Sequence, residues 1–311
     1  MPRMLVTGGA GFIGSHIVER LAGLGHEVVV YDNFSTGKRR NVEGIAGRVT
    51  VVCGDVRDLP ALRDAARGAD VVFHEAALAS VPRSIDDPAA SDEVNVHGTL
   101  NVLLASRDAG VKRVVYASSS SIYGNSPELP KREGMHPAPE SPYAAGKLAG
   151  ELYCGVFSTL YRLPCVMLRY FNVFGPRQDP KSQYAAVVPL FTSALLRGES
   201  PVIFGDGGQS RDFTYVANVV EANLAAARSE AAVGRVINVA CGATTTVNEL
   251  CARLRALIGA KVEPTHAPPR QGDVRHSCAD VSLARALLDF EPGVSLDDGL
   301  ERTVEWFRSA A

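Results

Sequence analysis

Residues 3–14 read RMLVTGGAGFIG, an apolar stretch that runs directly into a glycine-rich turn. A helical pattern of apolar residues follows at once: Ile17, Val18, Leu21 and Leu24. Strand, glycine turn and helix in this order form a cradle for a diphosphate, because the start of a helix offers unpaired N–H groups and a positive dipole end. We expect Gly8 to make the tight turn, Gly11 to let the pyrophosphate approach, and Gly14 to let helix and strand pack closely.

A second apolar run, Val28–Tyr31, ends in Asp32, at the distance where a ribose-binding acid is expected, roughly 20 residues on. The basic run 38–40 could favour a 2′-phosphate and hence NADP. Asp32 would repel that phosphate and would instead accept a hydrogen bond from a 2′-hydroxyl. The sequence therefore predicts a binding site for NAD.

The composition limits the classes of function. With 311 residues, the chain can form one large core or two cores that share a cleft. Its 32 basic and 34 acidic residues are well mixed, so no surface for nucleic acid or a charged membrane is indicated. The first strand begins early and no 18-residue apolar run occurs, so we expect a soluble, cytoplasmic protein. The six cysteines have no metal-ligand spacing, which predicts free thiols and no metal site.

Short β-branched runs alternate with longer helical patterns, which predicts a Rossmann-like, doubly wound parallel α/β sheet. We expect strands at 3–7, 28–31, 49–53, 70–74, 113–118, 164–168 and 235–239. We expect helices near 12–24, 60–67, 91–109, 143–161, 187–197, 216–228 and 246–258. The predicted domains are an NAD-binding domain, 1–168, to which about 212–240 returns, and a smaller C-terminal substrate-binding lobe, mainly 169–311.

Tyr143 and Lys147 stand four residues apart at the start of a predicted helix, which places them on one helical face. A free tyrosine has a pKa near 10, about three units too high for a base at neutral pH. A neighbouring lysine ammonium favours the phenolate and lowers that pKa. The strand before this helix ends in four serines, 118–121, whose hydroxyls can bond a substrate or cap a turn.

Together these motifs resemble the extended short-chain dehydrogenases/reductases over the whole chain and, within that superfamily, the nucleotide-sugar 4-epimerases. The resemblance rests on TGGAGFIG (7–14), Asp32-Asn33, GDV (54–56), HEAA (74–77), NVHGT (95–99), SSSSIYG (118–124), SPYAAGK (141–147), RYFNVFGPRQDP (169–180), SRDFTYV (210–216) and RQGDVRHS (270–277).

The resemblance implies that Tyr143 is the catalytic base, Lys147 its partner and Ser119 the serine that binds the sugar hydroxyl. It implies that the cofactor is NAD, with the pyrophosphate at the glycine turn, the adenosine ribose at Asp32 and the adenine at Asp55. The implied NAD-binding set is Gly8, Gly11, Phe12, Ile13, Gly14, Asp32, Asn33, Ser35, Thr36, Gly37, Asp55, Val56, Ala76, Ala77, Leu78, Asn95, Ser118, Tyr143, Lys147 and Tyr170.

The relatives differ in chemistry at the serine turn. The resembled 4,6-dehydratases follow the catalytic hydroxyl with an Asp-Glu pair, and the decarboxylases have a Glu nearby. Here Ser120 and Ser121 stand at those positions and cannot act as carboxylate acids or bases. The resemblance therefore implies 4-epimerisation through a 4-keto sugar. A net 4-ketoreductase and a catalytically silent dinucleotide-binding protein are the alternatives from other classes.

The most detailed similarity is to epimerases of N-acetylated UDP-hexosamines, some of which serve polysaccharide pathways. Ser277 takes a place where epimerases restricted to non-acetylated glucose carry tyrosine, so an acetamido group would fit. Ala79 replaces a glycine of that subgroup and narrows the pocket slightly. UDP-glucose is the second expected substrate, and UDP-glucuronate is the alternative. The implied substrate-binding set is Ala79, Ser80, Ser119, Ser120, Tyr143, Asn172, Ala186, Val187, Val202, Ile203, Phe204, Arg211, Arg270, Asp273 and Ser277.

The helices near 91–109 and 143–161 carry apolar residues on more than one face, which is more than packing on a sheet requires. Extended relatives pair these helices into a two-fold bundle. We therefore expect a homodimer with an isologous interface.

Overall fold

A parallel sheet forms the centre of the computed structural model, which describes residues 1–45, 47–180, 186–269 and 275–310. The strands, in chain order, are β1 Arg3–Thr7, β2 Glu27–Asp32, β3 Arg48–Cys53, β4 Val71–His74, β5 Arg113–Ser119, β6 Cys165–Tyr170, β7 Val173–Phe174, β8 Val202–Phe204, β9 Ser210–Arg211, β10 Thr214–Tyr215, β11 Val236–Val239, β12 Thr245–Thr246 and β13 Thr265–Ala267. Within these described ranges, seven strands pair in the order β11-β6-β5-β4-β1-β2-β3. The predicted strands of this sheet are confirmed to within a residue or two.

Some of the helices cover both faces of this sheet, and others form a lobe beside it. They are α1 Phe12–Gly23, α2 Leu59–Ala66, α3 Val81–Asp86, α4 Pro88–Asp92, α5 Gly98–Asp108, α6 Pro142–Leu160, α7 Val187–Leu196, α8 Val216–Arg228, α9 Val247–Ile258, α10 Ser282–Leu288 and α11 Leu296–Ala310. Helices α1, α8 and α10 pack with one face of the sheet, and α2, α5 and α6 pack with the other. Strands buried on both faces consist of apolar runs such as Val28–Val30.

One predicted helix is interrupted. The segment predicted as a helix over 91–109 consists of α4, a wide π-helical turn at Glu93–His97, and α5. A π-helical turn contains one extra residue but changes the spacing of the apolar residues very little, so the sequence pattern does not reveal it. Such turns are frequent at functional sites. Helices α3, α10 and α11 were not predicted from the sequence.

A second core lies beyond the sheet. It combines residues of α7, α9 and α11 with Ile203 of β8, Phe213 and Tyr215. Strand β13 pairs with β8, and β12 pairs with β9, in two small separate sheets. These elements form a lobe beside the carboxyl ends of β5 and β6, the edge at which ligands of such sheets bind.

The cysteines are free thiols, as predicted. Cys154, Cys165 and Cys251 are buried, whereas Cys53 is exposed. In the part of the chain that the structure describes, no cluster of His, Cys, Asp and Glu could hold a metal ion. No helix among those residues has both the length and the apolar character needed to cross a membrane.

Candidate active site

The glycine turn joins β1 to α1 with very little space. Gly8 has a φ of +68°, and a Cβ there would lie 2.6 Å from the backbone nitrogen of Ala76. A Cβ on Gly14 would collide with the Gly8 carbonyl oxygen. At Gly11, a Cβ would approach one atom of the described residues within 4 Å, that same oxygen at 3.1 Å, so the outer side of Gly11 is open. Each glycine thus has the geometry that its predicted role requires.

Helix α1 begins at this turn with its N-terminus available. Gly11 is the N-cap, and no side chain among the described residues caps it. The N–H groups of a helix's first turn have no partners within the helix and attract anions. Phe12 and Ile13 belong to that first turn. The turn therefore fits a pyrophosphate, as NAD would present.

Asp32 ends β2 directly beside the glycine turn. Its carboxylate is buried and accepts hydrogen bonds from the backbone N–H groups of Ala10 (3.0 Å) and Phe34 (2.8 Å). A Cβ on Gly37 would lie 2.8 Å from this carboxylate, so the loop with Ser35 and Thr36 folds closely over it. Lys38 pairs with Asp179 at 2.9 Å, so this cation already has a counter-ion. These contacts agree with the preference for NAD over NADP.

Asp55 and Val56 follow β3 at the same edge. Asp55 accepts hydrogen bonds from Arg57 and from Asn33 Nδ2 at 2.8 Å. The guanidinium of Arg57 holds the pKa of Asp55 well below its usual range. Val56 is buried.

Tyr143 and Ser119 meet at the end of β5. Helix α6 begins at Ser141, whose hydroxyl accepts a hydrogen bond from Ala144 N, and Pro142 occupies its first turn. Burial raises the pKa of Tyr143, and the hydrogen bond with Ser119 opposes that shift. Ser119 Oγ also accepts from the backbone N–H and the hydroxyl of Ser121, at 3.2 and 2.9 Å.

Lys147 lies one turn along α6 and is buried. Its Nζ donates to the carbonyl of Ala117 at 2.7 Å and stands 6.0 Å from the centre of the Tyr143 ring. Burial lowers the pKa of Lys147 to about 8. The predicted catalytic group of Ser119, Tyr143 and Lys147 is therefore assembled at one place, with the ammonium above the ring that it would influence.

A buried network supports this group and was not predicted. Ser118 Oγ donates to Glu151 Oε1 at 2.5 Å, and Arg169 binds the same carboxylate. The Ser118 hydroxyl is thus engaged by the protein, and its proposed cofactor contact would have to use the backbone. The signal in the sequence was Glu151, four residues after Lys147 and hence on the same helical face.

The segment after β4 carries three further predicted NAD-binding residues: Ala76, Ala77 and Leu78. Asn95, in the π-helical turn, accepts from Leu78 N at 2.9 Å and donates to Leu78 O at 3.3 Å. Asn95 therefore holds this segment in place. Ser80 caps α3 by accepting from Arg83 N at 3.2 Å, and Ala79 precedes it.

A cavity of about 260 Å³ lies beside this edge, between α7 and β8. Its lining includes the following predicted substrate-binding residues: Asn172, Ala186, Val187, Val202, Ile203, Phe204 and Arg211. It also includes residues not predicted: Val173, Phe174, Val188, Leu190, Phe191, Gln209, Phe213 and Val247. Most of this lining is apolar, with Asn172 and Arg211 as its polar groups together with Gln209.

Ser277 lies outside this cavity, on a segment joined to β9. Its backbone N–H donates to Ser210 O at 3.1 Å. The buried carboxylate of Asp212 accepts from the N–H groups of Cys241, Gly242 and Ala279 at 2.9, 3.0 and 3.2 Å. Asp212 thereby ties the Ser277 segment to the end of β11. Arg270 and Asp273 fall outside the described residues.

Comparison with known proteins agrees with this geometry. The NAD dependent epimerase/dehydratase family matches residues 4–240. A UDP-glucose 4-epimerase of Mycolicibacterium smegmatis is 44% identical over 99% of both chains. Among solved structures, a UDP-N-acetylglucosamine 4-epimerase of Methanobrevibacter ruminantium, in complex with UDP-N-acetylmuramic acid, has a TM-score of 0.96 and 42% identity, covering 100% of this chain and 99% of its own.

A UDP-glucose 4-epimerase of Thermotoga maritima, solved with UDP-glucose, has a TM-score of 0.95 and 42% identity over 99% of both chains. The matched family covers well over half of the sequence and includes the glycine turn, Ser119, Tyr143 and Lys147. The chain belongs to the NAD-dependent epimerase/dehydratase family.

Proposed function

We propose that the protein is a UDP-sugar 4-epimerase, which interconverts UDP-GlcNAc with UDP-GalNAc and UDP-glucose with UDP-galactose. The observation that carries this proposal is the assembly of Ser119, Tyr143 and Lys147 at one edge of the sheet, followed by Ser120 and Ser121 instead of carboxylates. The similarity to 4-epimerases over the full chain supports the same reaction.

NAD, when bound, would supply reversible hydride transfer at C4 of the sugar. The open side of Gly11 and the N-terminus of α1 would hold its pyrophosphate. Asp32 would accept from the adenosine ribose, and the segment after Asp55 would border the adenine. Tyr170 and the backbone from Ala76 onward would border its other half.

The chain's own residues would bind and transfer the proton of the sugar hydroxyl. Tyr143 would take the proton of the sugar 4-hydroxyl and give it back after the sugar has turned over. Ser119, already hydrogen-bonded to Tyr143, would orient that hydroxyl. The Lys147 ammonium, 6.0 Å from the centre of the Tyr143 ring, would favour the phenolate that takes this proton, because a positive charge nearby stabilises a negative one.

Elimination of water or loss of carbon dioxide needs a further acid or base at the serine turn. Ser121 instead donates its hydroxyl to Ser119 at 2.9 Å. A serine does not supply the carboxylate that the resembled dehydratases and decarboxylases use. The serine turn therefore supports epimerisation at C4, which involves no net change in redox state.

We assign the cavity between α7 and β8 to the uracil base, whose flat face suits the apolar lining near Phe204. Arg211 would bind the diphosphate, since its planar fork matches phosphate oxygens. Asn172, Arg270 and Asp273 complete the proposed diphosphate and sugar contacts. Strong binding of the nucleotide would leave the hexose free to rotate.

Ser277, Ala79 and Ser80 are proposed to surround the sugar together with Ala186 and Asn172. A serine at position 277 leaves space for an acetamido group, which supports UDP-GlcNAc as a substrate. The complexed UDP-N-acetylglucosamine 4-epimerase structure, at 42% identity, supports the same choice.

We further propose the domain division 1–168 with about 212–240 for NAD and mainly 169–311 for the substrate. We also propose a homodimer. Leu152, Val156 and Leu160 recur every four residues along α6 and are 63%, 45% and 71% exposed. An apolar stripe of this kind on one helix face is suited to pairing with the same stripe of a second copy.

The test is NMR of the purified protein with UDP-GlcNAc, UDP-glucose or UDP-glucuronate and no added cofactor. We expect the C4-inverted sugar from the first two, and NAD(H) released when the protein is heated. Conversion of UDP-glucuronate alone would overturn the substrate assignment. A requirement for NADPH, with a reduced sugar as product, would identify a ketoreductase instead. No turnover of any nucleotide sugar would contradict the proposed activity.

A further inference from the structure

Glu75 is an ionisable group at the catalytic edge to which the reaction described above gives no role. It follows directly after β4, and its Oε1 accepts a hydrogen bond from the Tyr170 hydroxyl at 2.8 Å. Asn223 of α8 donates to the same hydroxyl at 2.8 Å. The Tyr170 proton is therefore directed toward Glu75, and a carboxylate is the form that accepts it best.

The register of the strands places the backbone of Glu75 next to the residue of β5 whose carbonyl binds Lys147. His74 of β4 pairs with Tyr116 of β5, so Glu75 comes alongside Ala117. The carbonyl of Ala117 is the group that binds the Lys147 ammonium. On the other side of β5, Tyr170 of β6 pairs with Ser119. The hydrogen bond from Tyr170 to Glu75 therefore passes over β5, at the position of the small side chain of Ala117.

The charges at this position act on one another. Burial raises the pKa of Glu75 to about 7, and the Lys147 ammonium opposes that rise. Burial lowers the pKa of Lys147, which the Glu75 carboxylate opposes in turn. The same carboxylate adds to the effect of burial in raising the pKa of Tyr143.

Among the residues that the structure describes, Lys147 is the charged group that acts on Glu75. Tyr170 of β6 is a buried phenol, and Asn223 of α8 is neutral. On its own strand, His74 is uncharged because burial lowers its pKa to about 3. From α6, the titratable groups that interact with Glu75 are Lys147 and Tyr143.

We propose that Glu75 is a positioning residue of the active site, the counter-charge that keeps the Lys147 ammonium protonated beside Tyr143. The inference rests on the proposed function, since Lys147 and Tyr143 are its catalytic pair. Removing the charge from Glu75 should lower the pKa of both Lys147 and Tyr143. Both limbs of the pH–rate profile therefore move in the acid direction.

The experiment compares Glu75→Gln, which keeps the acceptor but removes the charge, with Glu75→Asp, which keeps the charge. Glu75→Leu is a second uncharged variant, so the result does not depend on one substitution folding well. Glu133→Gln is the matched control, because this carboxyl interacts with Asn238, Asp280 and Arg169 rather than with Lys147 or Tyr143.

The first readout is the ultraviolet absorbance of tyrosinate during a pH titration, taken as the difference between each protein and the same protein carrying Tyr143→Phe. We expect Glu75→Gln and Glu75→Leu to lower the titration midpoint of Tyr143 by about one pH unit. The pH–rate profile is the second readout, and both its limbs move in the same direction. Glu75→Asp and Glu133→Gln stay within a few tenths of a unit of wild type.

An unchanged or raised midpoint in the uncharged variants would overturn the role of Glu75. The titration requires no sugar, so it can succeed even where epimerase activity is absent. The midpoint of Tyr143 can also stay unchanged in a protein that is a fully active epimerase. The role of Glu75 can therefore be wrong while the proposed function is right.

Discussion

Arg169 of β6 and Glu151 of α6 are joined by two hydrogen bonds of 2.8 and 2.7 Å, with both side chains almost wholly buried. This pair fastens the catalytic helix to the sheet one turn beyond Lys147. Because Ser118 also donates to Glu151, the carboxylate accepts three hydrogen bonds from two residues next to the serine turn.

Removing one member of this pair should be costly. Arg169→Met leaves a buried carboxylate without its counter-ion, and we expect the free energy of unfolding to fall by about 3–5 kcal/mol. Urea denaturation measures the change. Arg67→Met is the control, because the Arg67–Asp64 pair is exposed and should contribute less than about 1 kcal/mol. Equal effects of the two substitutions would contradict this account.

Tyr143→Phe should abolish nearly all epimerase activity while leaving NAD bound. The substitution removes the hydroxyl that would take the proton of the sugar 4-hydroxyl, and it leaves the ring and α6 in place. The rate constant kcat and the heat-released nucleotide provide the two measurements. Retention of a tenth or more of wild-type kcat would exclude this role of Tyr143.

Acid should destabilise the protein through His74. The ring bonds Thr7 Oγ1 at 2.7 Å and Thr99 Oγ1 at 3.0 Å, and burial lowers its pKa to about 3 from 6.5. Since the unfolded chain binds the proton more readily, this stability is present above about pH 6.5 and declines as the pH falls toward 3. At pH 5 the loss attributable to His74 is about 2 kcal/mol.

Urea denaturation at pH 5 and at pH 7.5 measures this loss. His74→Gln should reduce the difference in the free energy of unfolding between the two pH values by about 2 kcal/mol, because it removes the buried imidazole. A wild-type difference that persists in His74→Gln would show that other groups cause it.

The exposed stripe on α6 predicts a dimer in solution. Light scattering at micromolar concentration should give twice the chain mass of 33.0 kDa. Leu152→Glu combined with Leu160→Glu places two charges in the proposed interface and should yield monomers. Leu257→Glu, at an exposed position of α9, is the control and should remain dimeric. A monomeric wild type would refute the interface.

Ser277→Tyr should alter specificity more than overall activity. The larger ring would occupy the space of the acetamido group, and packed sites accommodate added bulk poorly. We expect kcat/KM for UDP-GlcNAc to fall at least tenfold relative to that for UDP-glucose, a discrimination of about 1.4 kcal/mol. Equal losses on the two substrates would mean that Ser277 does not control access.

The sequence by itself determined the sheet and the proposed catalytic group, because each depends on local spacing. Gly8, Gly11 and Gly14 require a turn of one shape, and Tyr143 and Lys147 share a helix face whatever lies around them. Alternation of apolar runs with helical patterns likewise predicts a parallel sheet with helices on both faces. These features were recognisable without any knowledge of distant contacts.

Only the tertiary structure decided which residues support that group. Glu151 meets Arg169 and Ser118, and Glu75 meets Tyr170, through contacts between strands and helices far apart in the chain. The wide turn that lets Asn95 reach Leu78 leaves the apolar periodicity nearly unchanged. Burial shifts the pKa values of Lys147 and His74. It arises only in the folded protein, because water is removed from these side chains when the helices pack on the sheet.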